Sequence, residues 1–247
     1  MKNFPKHIAV IPDGNRRWAR KKGLLPWMGH QAGVKALEKL LDKSQELKIP
    51  YFTFWGSSWD NLTKRSKNEV NFLYKLYTKY FKKLAEDKKV RQNKVKINVF
   101  GRWKEIFPKA TQEAIEMAQD STKNYKNFVL TFLLAYSGTD EMLDCIQRIV
   151  NLCKKKTASP VRDSSLSGVK ITEKLIKENL WTKDLPPVDL VIRTGYEDDP
   201  HLSAGFMMWD TAYSQLHLTS TLFPAFTVKE FEKIIKDYSQ RQRRFGK

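Results

Sequence analysis

The chain has 247 residues, enough for one large domain or two small ones, and we expect a single domain over residues 1–247. Its 45 Lys+Arg and 27 Asp+Glu residues give a formal charge of +18. The 41% of hydrophobic and 12% of aromatic residues exclude a disordered polycation. The charge predicts an anionic partner without choosing among nucleic acid, anionic lipid and phosphorylated small molecules.

Membrane, targeting and disulfide signals are absent from the sequence. No apolar run approaches the ~20 residues that span a bilayer, and the start, MKNFPKHIAVIPDGN, lacks the pattern of a signal peptide. We therefore expect a cytoplasmic protein. Cys145 and Cys153 lie eight positions apart in a predicted helix. That spacing corresponds to about 12 Å along the helix axis, too far for a disulfide bond.

Short apolar runs alternate with stretches of helical periodicity. The predicted strands, in chain order, are His7–Ile11, Tyr51–Trp55, Val95–Phe100, Phe128–Leu134, Val188–Ile192 and, more weakly, Leu216–Leu218. The predicted helices are Gly29–Leu47, Ser66–Lys88, Pro108–Asp120, Thr139–Lys155, Thr172–Asn179 and Thr227–Arg241. A polar segment, Lys154–Gly168, predicts an exposed loop. The alternation predicts an α/β fold with a central, mostly parallel six-stranded sheet flanked by helices, and a site at the carboxyl ends of its strands.

The first strand ends in a motif suited to phosphate. Pro12-Asp13-Gly14-Asn15 leads into a helix start that carries Arg16, Arg17 and Arg20. Free backbone N–H groups at a helix start bind phosphate, and a carboxylate such as Asp13 is a ligand for Mg²⁺. The alternative, a helix N-cap followed by a solvated basic face, stays open.

Two later loops carry related chemistry. Arg193 follows the strand Val188–Ile192, which places it at the same sheet edge as Asp13. The loop after strand two, Ser57 to Arg65, supplies hydroxyl, amide and basic groups that hydrogen-bond phosphate. A surface ion pair for Arg193, and a capping box at residues 66–69, are the alternatives.

Together these motifs resemble the cis-prenyltransferases, the family of the undecaprenyl diphosphate synthases. The resemblance rests on five segments in family order, which are HIAVIPDGNRRWA at 7–19, GHQAG at 29–33, the 57–65 loop, DLVIRTG at 189–195 and the closing Arg-x-Gly at 244–246. It spans nearly the whole chain. It implies a transferase that condenses isopentenyl diphosphate onto an allylic diphosphate, such as farnesyl diphosphate, with Z stereochemistry, making a polyprenyl diphosphate lipid-carrier precursor.

The resemblance also implies roles for individual residues. Asp13 would position the cofactor Mg²⁺, and Asn61 would lie near the proton that isopentenyl diphosphate loses. The implied substrate-binding residues are Gly14, Asn15, Arg16, Arg17, Trp18 and His30 for the allylic diphosphate, Ser57, Ser58 and Asp60 beside Asn61, and Arg65, Arg193 and Ser203 for the diphosphate of isopentenyl diphosphate. Arg244 and Gly246 would reach the site across the interface of a homodimer.

A growing hydrocarbon chain needs an apolar tunnel. The stripe on the predicted helix Ser66–Lys88 offers Phe72, Leu73, Leu76, Tyr77 and Tyr80, opposite Phe132 and Leu134 of the fourth strand. Every helix that covers a sheet has such a stripe, so ordinary core packing is the alternative.

The sequence departs from the family pattern at four places. Gln215 stands where bacterial members carry a glutamate that helps to hold the metal, and no arginine precedes Ser203. Pro26 replaces a frequent arginine, and an extra residue after strand two blurs the register between Lys64 and Arg65. Gln215 favours the alternative of a non-catalytic or partner-dependent subunit with the same fold.

Partners follow from the same reasoning. We expect isopentenyl and allylic diphosphates as substrates and no nucleic acid, because no nucleic-acid-binding motif accompanies the charge. The excess positive charge predicts peripheral contact with an anionic membrane. A surface charged for solubility explains the same composition and stays open.

Overall fold

Strands and helices alternate along the computed structural model of the protein, which describes residues 4–157, 170–197 and 201–241. The strands are β1 (His7–Ile11), β2 (Tyr51–Trp55), β3 (Val95–Phe100), β4 (Phe128–Leu133), β5 (Leu190–Arg193) and β6 (Gln215–Leu218). The helices are α1 (Asn15–Lys21), α2 (Met28–Glu46), α3 (Trp59–Lys64), α4 (Lys67–Glu86), α5 (Lys88–Gln92), α6 (Trp103–Ile106), α7 (Lys109–Thr122), α8 (Gly138–Thr157), α9 (Glu173–Asn179) and α10 (Val228–Gln240). Short 3₁₀ turns lie at Ser203–Gly205 and Phe223–Ala225.

The six strands form one sheet in the order β3-β4-β2-β1-β5-β6. Every pair of neighbours is parallel, so the predicted α/β fold is confirmed and the sheet is wholly parallel. After β1 the chain turns towards β2, and after β5 it turns the other way, towards β6. The carboxyl ends of β1 and β5 therefore flank a switch point, where ligands of open α/β sheets bind.

Both faces of the sheet are buried, as the alternation of side chains in β1 illustrates. Ile8 and Val10 join a large core that includes residues of α2, α4, α7 and α10. Ala9 and Ile11 join a second core on the opposite face. Strands covered on both faces read as continuous apolar runs, which is why the sequence locates five of the six strands so closely.

Differences from the predicted elements are local. The sequence pattern missed α3, α5 and α6, because helices of four to six residues are shorter than the window in which periodicity is visible. The predicted loop Lys154–Gly168 begins inside α8, and residues 158–168 lie outside the described part of the chain. Cys145 and Cys153 are not joined in a disulfide bond, as predicted. No described helix is long and apolar enough to cross a membrane.

A buried histidine fastens β1 to its neighbours. His7 is fully buried, with Nδ1 lying 2.8 Å from the carbonyl oxygen of Pro186 and Nε2 lying 2.8 Å from the hydroxyl of Thr53. A carbonyl oxygen only accepts, so Nδ1 carries the proton and Nε2 accepts from Thr53. Burial is the main reason that the pKa of His7 falls from 6.5 to about 4.

This histidine predicts acid sensitivity. Because the folded pKa lies below the unfolded one, the unfolded chain binds the extra proton as the pH falls below 6.5. The contribution of His7 to stability is complete above that pH and is lost as the pH falls towards 4. We expect the unfolding free energy to drop by about 2 kcal/mol from this group between pH 7 and pH 5. Urea unfolding at both pH values, with His7→Gln alongside, measures it. An equal pH dependence in the variant would contradict the assignment.

Candidate active site

A cavity of about 540 Å³ opens at the carboxyl ends of β1, β2 and β5. One part of its wall is strongly basic, and the other part is apolar. The basic part is formed by Arg16, Arg17, Arg20, Arg65, Arg193 and His30, and the apolar part by Val34, Phe54, Leu73, Leu76, Tyr77 and Phe223. Such a division suits an amphiphile with an anionic head and a hydrocarbon tail.

Asp13 lies at the centre of the basic part and contacts two arginines. Arg193 Nη2 is 3.3 Å from Asp13 Oδ2, and Arg17 Nη2 is 3.5 Å from Asp13 Oδ1. The Asp13 side chain is still 44% exposed, so it faces the cavity rather than a closed ion pair. The prediction that Asp13 and Arg193 meet at one sheet edge is confirmed.

Backbone contacts hold this pair in place. Gly14 adopts φ 94° at the start of α1, which lets its N–H donate to Asp13 Oδ1 at 2.6 Å. The Asp13 carbonyl oxygen accepts from the N–H of Phe223 at 3.0 Å and from the Thr194 hydroxyl at 3.1 Å. Arg193 donates to the carbonyl oxygen of His201. The carboxylate and the arginine therefore sit on fixed backbone.

Helix α1 divides its side chains between two surfaces. Arg16, Arg17 and Arg20 line the cavity, whereas Trp18 lines a separate groove with Leu24. The expectation that Trp18 closes the diphosphate pocket does not match this placement. Successive residues of a helix are about 100° apart, so Trp18 lies on a different face from Arg16 and Arg20.

The close packing of α1 on α2 depends on a glycine. A Cβ atom at Gly29 would lie 2.0 Å from the carbonyl oxygen of Asn15, closer than any real contact. The glycine lets α2 bring His30 beside the arginines of α1. This requirement gives a physical reason for the Gly-His pair of the GHQAG segment.

A buried carboxylate beneath the cavity was missed as a site residue. Glu69 is 2% exposed and contacts three cavity side chains. Its Oε1 lies 3.2 Å from His30 Nε2 and 3.1 Å from Arg65 Nη1, and its Oε2 lies 3.5 Å from Arg16 Nε. The sequence signal was the capping box at residues 66–69. Only half of that box forms, because Ser66 accepts from the Glu69 N–H while the Glu69 side chain turns to the cations.

The surroundings of Glu69 shift two pKa values. Burial alone would raise the pKa of Glu69, but the hydrogen bond with His30 and the charges of Arg65 and Arg16 bring it below its ordinary value. Burial lowers the pKa of His30, and the hydrogen bond with Glu69 opposes that shift only in part. Glu69 is therefore an anion and His30 a neutral imidazole at neutral pH.

Two serines in the loop after β2 accept different hydrogen bonds. Ser57 Oγ accepts from the Ala135 N–H at 3.1 Å and ties the loop to the end of β4. Ser58 Oγ caps α3 by accepting from the Asn61 N–H at 3.0 Å. Asp60 pairs with Lys64 at 2.8 Å. The predicted residues Ser57, Ser58, Asp60, Asn61 and Arg65 all line the cavity.

Trp59 gives this loop an additional support. The Arg102 guanidinium stacks 3.9 Å from the centre of the Trp59 ring. Glu105 holds that guanidinium through contacts of 2.7 to 3.1 Å. The stack secures α3, and with it Asp60 and Asn61, from outside the cavity.

The apolar stripe of α4 is divided between the wall of the cavity and the core. Leu73, Leu76 and Tyr77 line the cavity. Tyr80 instead packs against Phe132 in the core, with ring centres 6.0 Å apart. Leu134 is fully buried. The cavity wall thus takes one end of the stripe, and the core takes the other.

Three residues singled out in the sequence are not seen at the cavity. Gln215 Oε1 accepts from Arg241 Nη1 at 3.1 Å, and Gln215 does not line the cavity. Arg244 and Gly246 lie outside the described residues. The remaining predicted residues, Gly14, Asn15 and Ser203, line the cavity.

Four buried polar atoms of the cavity residues have no hydrogen-bond partner among the described residues. They are Asn15 Oδ1, Arg16 Nε, Trp55 Nε1 and Arg193 Nε. An unsatisfied buried polar group costs about 1–3 kcal/mol, so such atoms commonly mark a place where a ligand or water supplies the missing contact. Arg16 and Arg193 belong to the basic part of the cavity.

Known proteins resemble this chain over its whole length. The sequence profile of a prenyltransferase family, described as undecaprenyl diphosphate synthase, matches residues 11–246. A Pyrococcus abyssi protein named tritrans,polycis-undecaprenyl-diphosphate synthase (geranylgeranyl-diphosphate specific) is 40% identical over 244 residues, which are 99% of this chain and 88% of that protein. An isoprenyl transferase of Fusobacterium nucleatum is 38% identical over 245 residues, which are 99% of this chain and 97% of that protein.

A solved structure shows the same similarity. The crystal structure of lavandulyl diphosphate synthase from Lavandula x intermedia, in complex with dimethylallyl diphosphate, superimposes with a TM-score of 0.86. The two chains are 26% identical, and the match covers 99% of each.

Proposed function

The chain belongs to the undecaprenyl diphosphate synthase family of prenyltransferases, and from this membership we propose that it condenses isopentenyl diphosphate onto an allylic diphosphate with Z stereochemistry, as a single domain. The observation that carries the proposal is the cavity at the switch point. Five arginines and one histidine line one part of it, and aliphatic and aromatic side chains line the other. The product is a polyprenyl diphosphate, the precursor of a lipid carrier.

The basic part of the cavity suits a reaction in which the bond between C1 of the allylic substrate and its diphosphate breaks. Each addition joins the terminal carbon of isopentenyl diphosphate to C1 of the allylic chain, releases one diphosphate and loses one proton. Negative charge builds on the departing diphosphate, so arginines fixed around it stabilise the transition state more than the ground state. Arg16, Arg17 and His30 would hold the allylic diphosphate, and Arg65, Arg193 and Ser203 the diphosphate of isopentenyl diphosphate.

The loop 57–65 would position the second substrate for proton loss. Ser58 and Asn61 line the cavity near the end of β2, and the cap between them fixes the start of α3. Hydroxyl and amide groups hydrogen-bond both phosphate and water, which suits a path for the departing proton. The apolar wall of Leu73, Leu76 and Tyr77 would receive the growing hydrocarbon chain.

Mg²⁺ fits the residues at this site. Mg²⁺ is usually held by one or two carboxylates together with substrate phosphates and water, rather than by a cage of protein ligands. Asp13 offers one partly exposed carboxylate among arginines, and no cluster of three His, Cys, Asp or Glu side chains with metal-binding geometry occurs in the described ranges. We propose that Asp13 holds the ion, with Asn15 Oδ1 as a further oxygen. When bound, the ion neutralises charge on the diphosphate.

Geranylgeranyl diphosphate is the primer that we favour. Four archaeal relatives that are 39–40% identical to this chain carry that specificity in their names. Farnesyl diphosphate, the primer expected from the sequence, is its competitor. Both primers carry the same diphosphate, so the basic part of the cavity would bind them equally well. Contacts between the hydrocarbon chain and the apolar wall would then decide which primer is preferred.

The decisive assay incubates purified protein with labelled isopentenyl diphosphate, Mg²⁺, detergent and one allylic primer at a time. We expect a ladder of extended products, longer or faster with geranylgeranyl than with farnesyl diphosphate, and sensitive to a Mg²⁺ chelator. Product analysis reads the chain length and the double-bond geometry. An absence of product with every primer would favour the alternative of a partner-dependent subunit.

A homodimer is the assembly that we propose. Helix α8 presents an exposed apolar stripe of Leu143, Ile146 and Val150, spaced three and four residues apart. The stripe offers a second copy a self-complementary surface, and a dimer would let Arg244 and Gly246 act in the partner's site.

The stripe can be tested through the mass in solution. Ile146→Glu places a charge in the proposed interface, and we expect it to convert dimers into monomers in analytical ultracentrifugation. The exposed Met117→Glu on α7 serves as a control and should leave the mass unchanged. A dimeric Ile146→Glu variant would locate the interface elsewhere.

Membrane contact and a cytoplasmic location complete the proposal. The charge of +18 favours the anionic cytoplasmic leaflet, where a long isoprenoid product would be delivered.

A further inference from the structure

The connector between α1 and α2 exposes apolar and basic side chains side by side. Arg20, Lys21 and Lys22 are exposed at the end of α1. Leu24, Leu25 and Met28 follow, and Leu25 is 53% exposed. Exposed leucines next to cations are typical of segments that lie in the interface of a membrane.

The connector is ordered rather than loose. The N–H groups of Gly23 and Leu24 donate to the carbonyl oxygens of Arg20 and Ala19 at 3.0 Å, and the Met28 N–H donates to Leu25 at 2.9 Å. A Cβ atom at Gly23 would meet nothing within 4 Å, so the turn projects into open space. The leucines are therefore held outwards by a fixed backbone.

A groove continues this surface across α2. Its apolar side chains are Trp18, Leu24, Met28, Ala32, Ala36 and Phe226, and its cations are Lys35, Lys39 and Lys229. No carboxylate lines the groove, and none of the three lysines forms an ion pair within the described part of the chain. We call the connector 20–28 and this groove together the α1–α2 surface.

The charge of the α1–α2 surface distinguishes it from the other exposed apolar face. On the exposed apolar face of α8, Asp140 and Asp144 pair with Arg102 and Arg148, so two of the cations near Leu143 are already neutralised. A nucleic acid would use the cations of the α1–α2 surface but not its exposed leucines. A bilayer with anionic headgroups uses both, because the lysines meet the headgroups and the leucines enter the acyl boundary.

We propose that the α1–α2 surface docks the protein on anionic lipid bilayers. Helix α1 then links the membrane to the active site, because Arg16, Arg17 and Arg20 line the cavity while Trp18 lines the docking groove. The benefit of this arrangement, a short path for a water-insoluble product, rests on the proposed function. The docking itself rests only on the exposed residues and can be measured without turnover.

Vesicle binding by the full chain tests the surface directly. The probes are phosphatidylcholine vesicles with and without phosphatidylserine, at low and high salt. We expect binding only to the anionic vesicles. Each lysine near such a surface contributes about 1 kcal/mol, so Lys21→Gln/Lys22→Gln should weaken binding about 25-fold. Leu24→Ser/Leu25→Ser should weaken it roughly tenfold, from the lost apolar contact.

A matched control separates this surface from the overall charge. Lys88→Gln/Lys126→Gln removes two exposed lysines outside the α1–α2 surface, one at the start of α5 and one just before β4. We expect its binding to equal that of the unmodified chain. Equal weakening by both lysine pairs would reduce the effect to net charge and overturn the proposal.

Other outcomes are equally informative. If Leu24→Ser/Leu25→Ser binds vesicles as well as the unmodified chain, the surface recognises charge alone and the docking proposal is overturned. If the same variant changes the oligomeric mass instead, the surface contacts a protein and the proposal is overturned as well. Condensation in detergent should survive in all of these variants, because none of the substituted residues lines the cavity. A chain without condensation activity that still binds anionic vesicles would refute the proposed function and leave the docking surface standing.

Discussion

Replacing Asp13 by alanine is expected to lower kcat by about 10²–10³-fold or more, the loss seen when one charged or hydrogen-bonding group that stabilises a transition state is removed. Asp13 is the only carboxylate that contacts both Arg17 and Arg193 among the described residues. Its removal leaves Arg193 without an acidic partner among the described residues and leaves Arg17 with Glu197 alone. It also takes the proposed Mg²⁺ ligand from the cavity. Steady-state kinetics with a fixed primer and a titration of Mg²⁺ measure the effect.

A conservative variant separates charge from structure. Asp13→Asn keeps the side-chain oxygen that accepts from the Gly14 N–H but loses the negative charge. We expect Asp13→Asn to need more Mg²⁺ than the unmodified chain and to keep its unfolding free energy. The exposed Asp120→Ala on α7 should behave like the unmodified chain. Near-normal turnover by Asp13→Ala would remove Asp13 from the centre of the mechanism.

Replacing Glu69 by glutamine is expected to reduce both stability and substrate affinity. The carboxylate is nearly fully buried and compensates Arg16, Arg65 and, by a hydrogen bond, His30. Removing one partner of a buried ion pair costs about 3–5 kcal/mol, and the partial exposure of Arg16 puts this case near the lower end. The released cations also repel each other, which should raise KM for both substrates.

Unfolding in urea and steady-state kinetics report the two effects separately. The Glu116→Gln variant is the control, because Glu116 pairs with Lys104 at 2.8 Å on the exposed side of α7 and should contribute less than about 1 kcal/mol. The pKa of His30 should also fall further in Glu69→Gln, since the carboxylate raises it. Unchanged stability together with an unchanged KM would show that Glu69 neither supports the fold nor positions the arginines.

The positions of the strands, and the edge of the sheet that carries Asp13 and Arg193, could be predicted from the sequence because they depend on local patterns. The apolar runs of β1 to β4 follow from burial on both faces, and the strand-to-helix alternation dictates parallel strands. Parallel strands bring their carboxyl ends together, so Asp13 and Arg193, 180 residues apart, could be placed at one edge. The short helices α3, α5 and α6 gave no such pattern.

The direction in which a side chain points could not be predicted from the sequence in the same way. Trp18 and Arg17 are neighbours in the sequence, yet they line different surfaces because they point to different sides of α1. Ser66 to Glu69 matches a capping motif, but in the tertiary structure Glu69 contacts Arg16 of α1 and His30 of α2 instead of completing the cap. Gln215 stands where the family resemblance implies a glutamate that helps to hold the metal, but its side chain contacts Arg241.

The sequence by itself determined the fold class, the family resemblance and the chemical character of the site, because periodicity, charge and ordered motifs are properties of the chain alone. Only the tertiary structure decided which arginines share the cavity, that Glu69 lies beneath them, and that the leucines after α1 remain exposed. These facts depend on contacts between residues far apart in the chain. No local pattern encodes those contacts, since each is set by how the helices pack on the sheet.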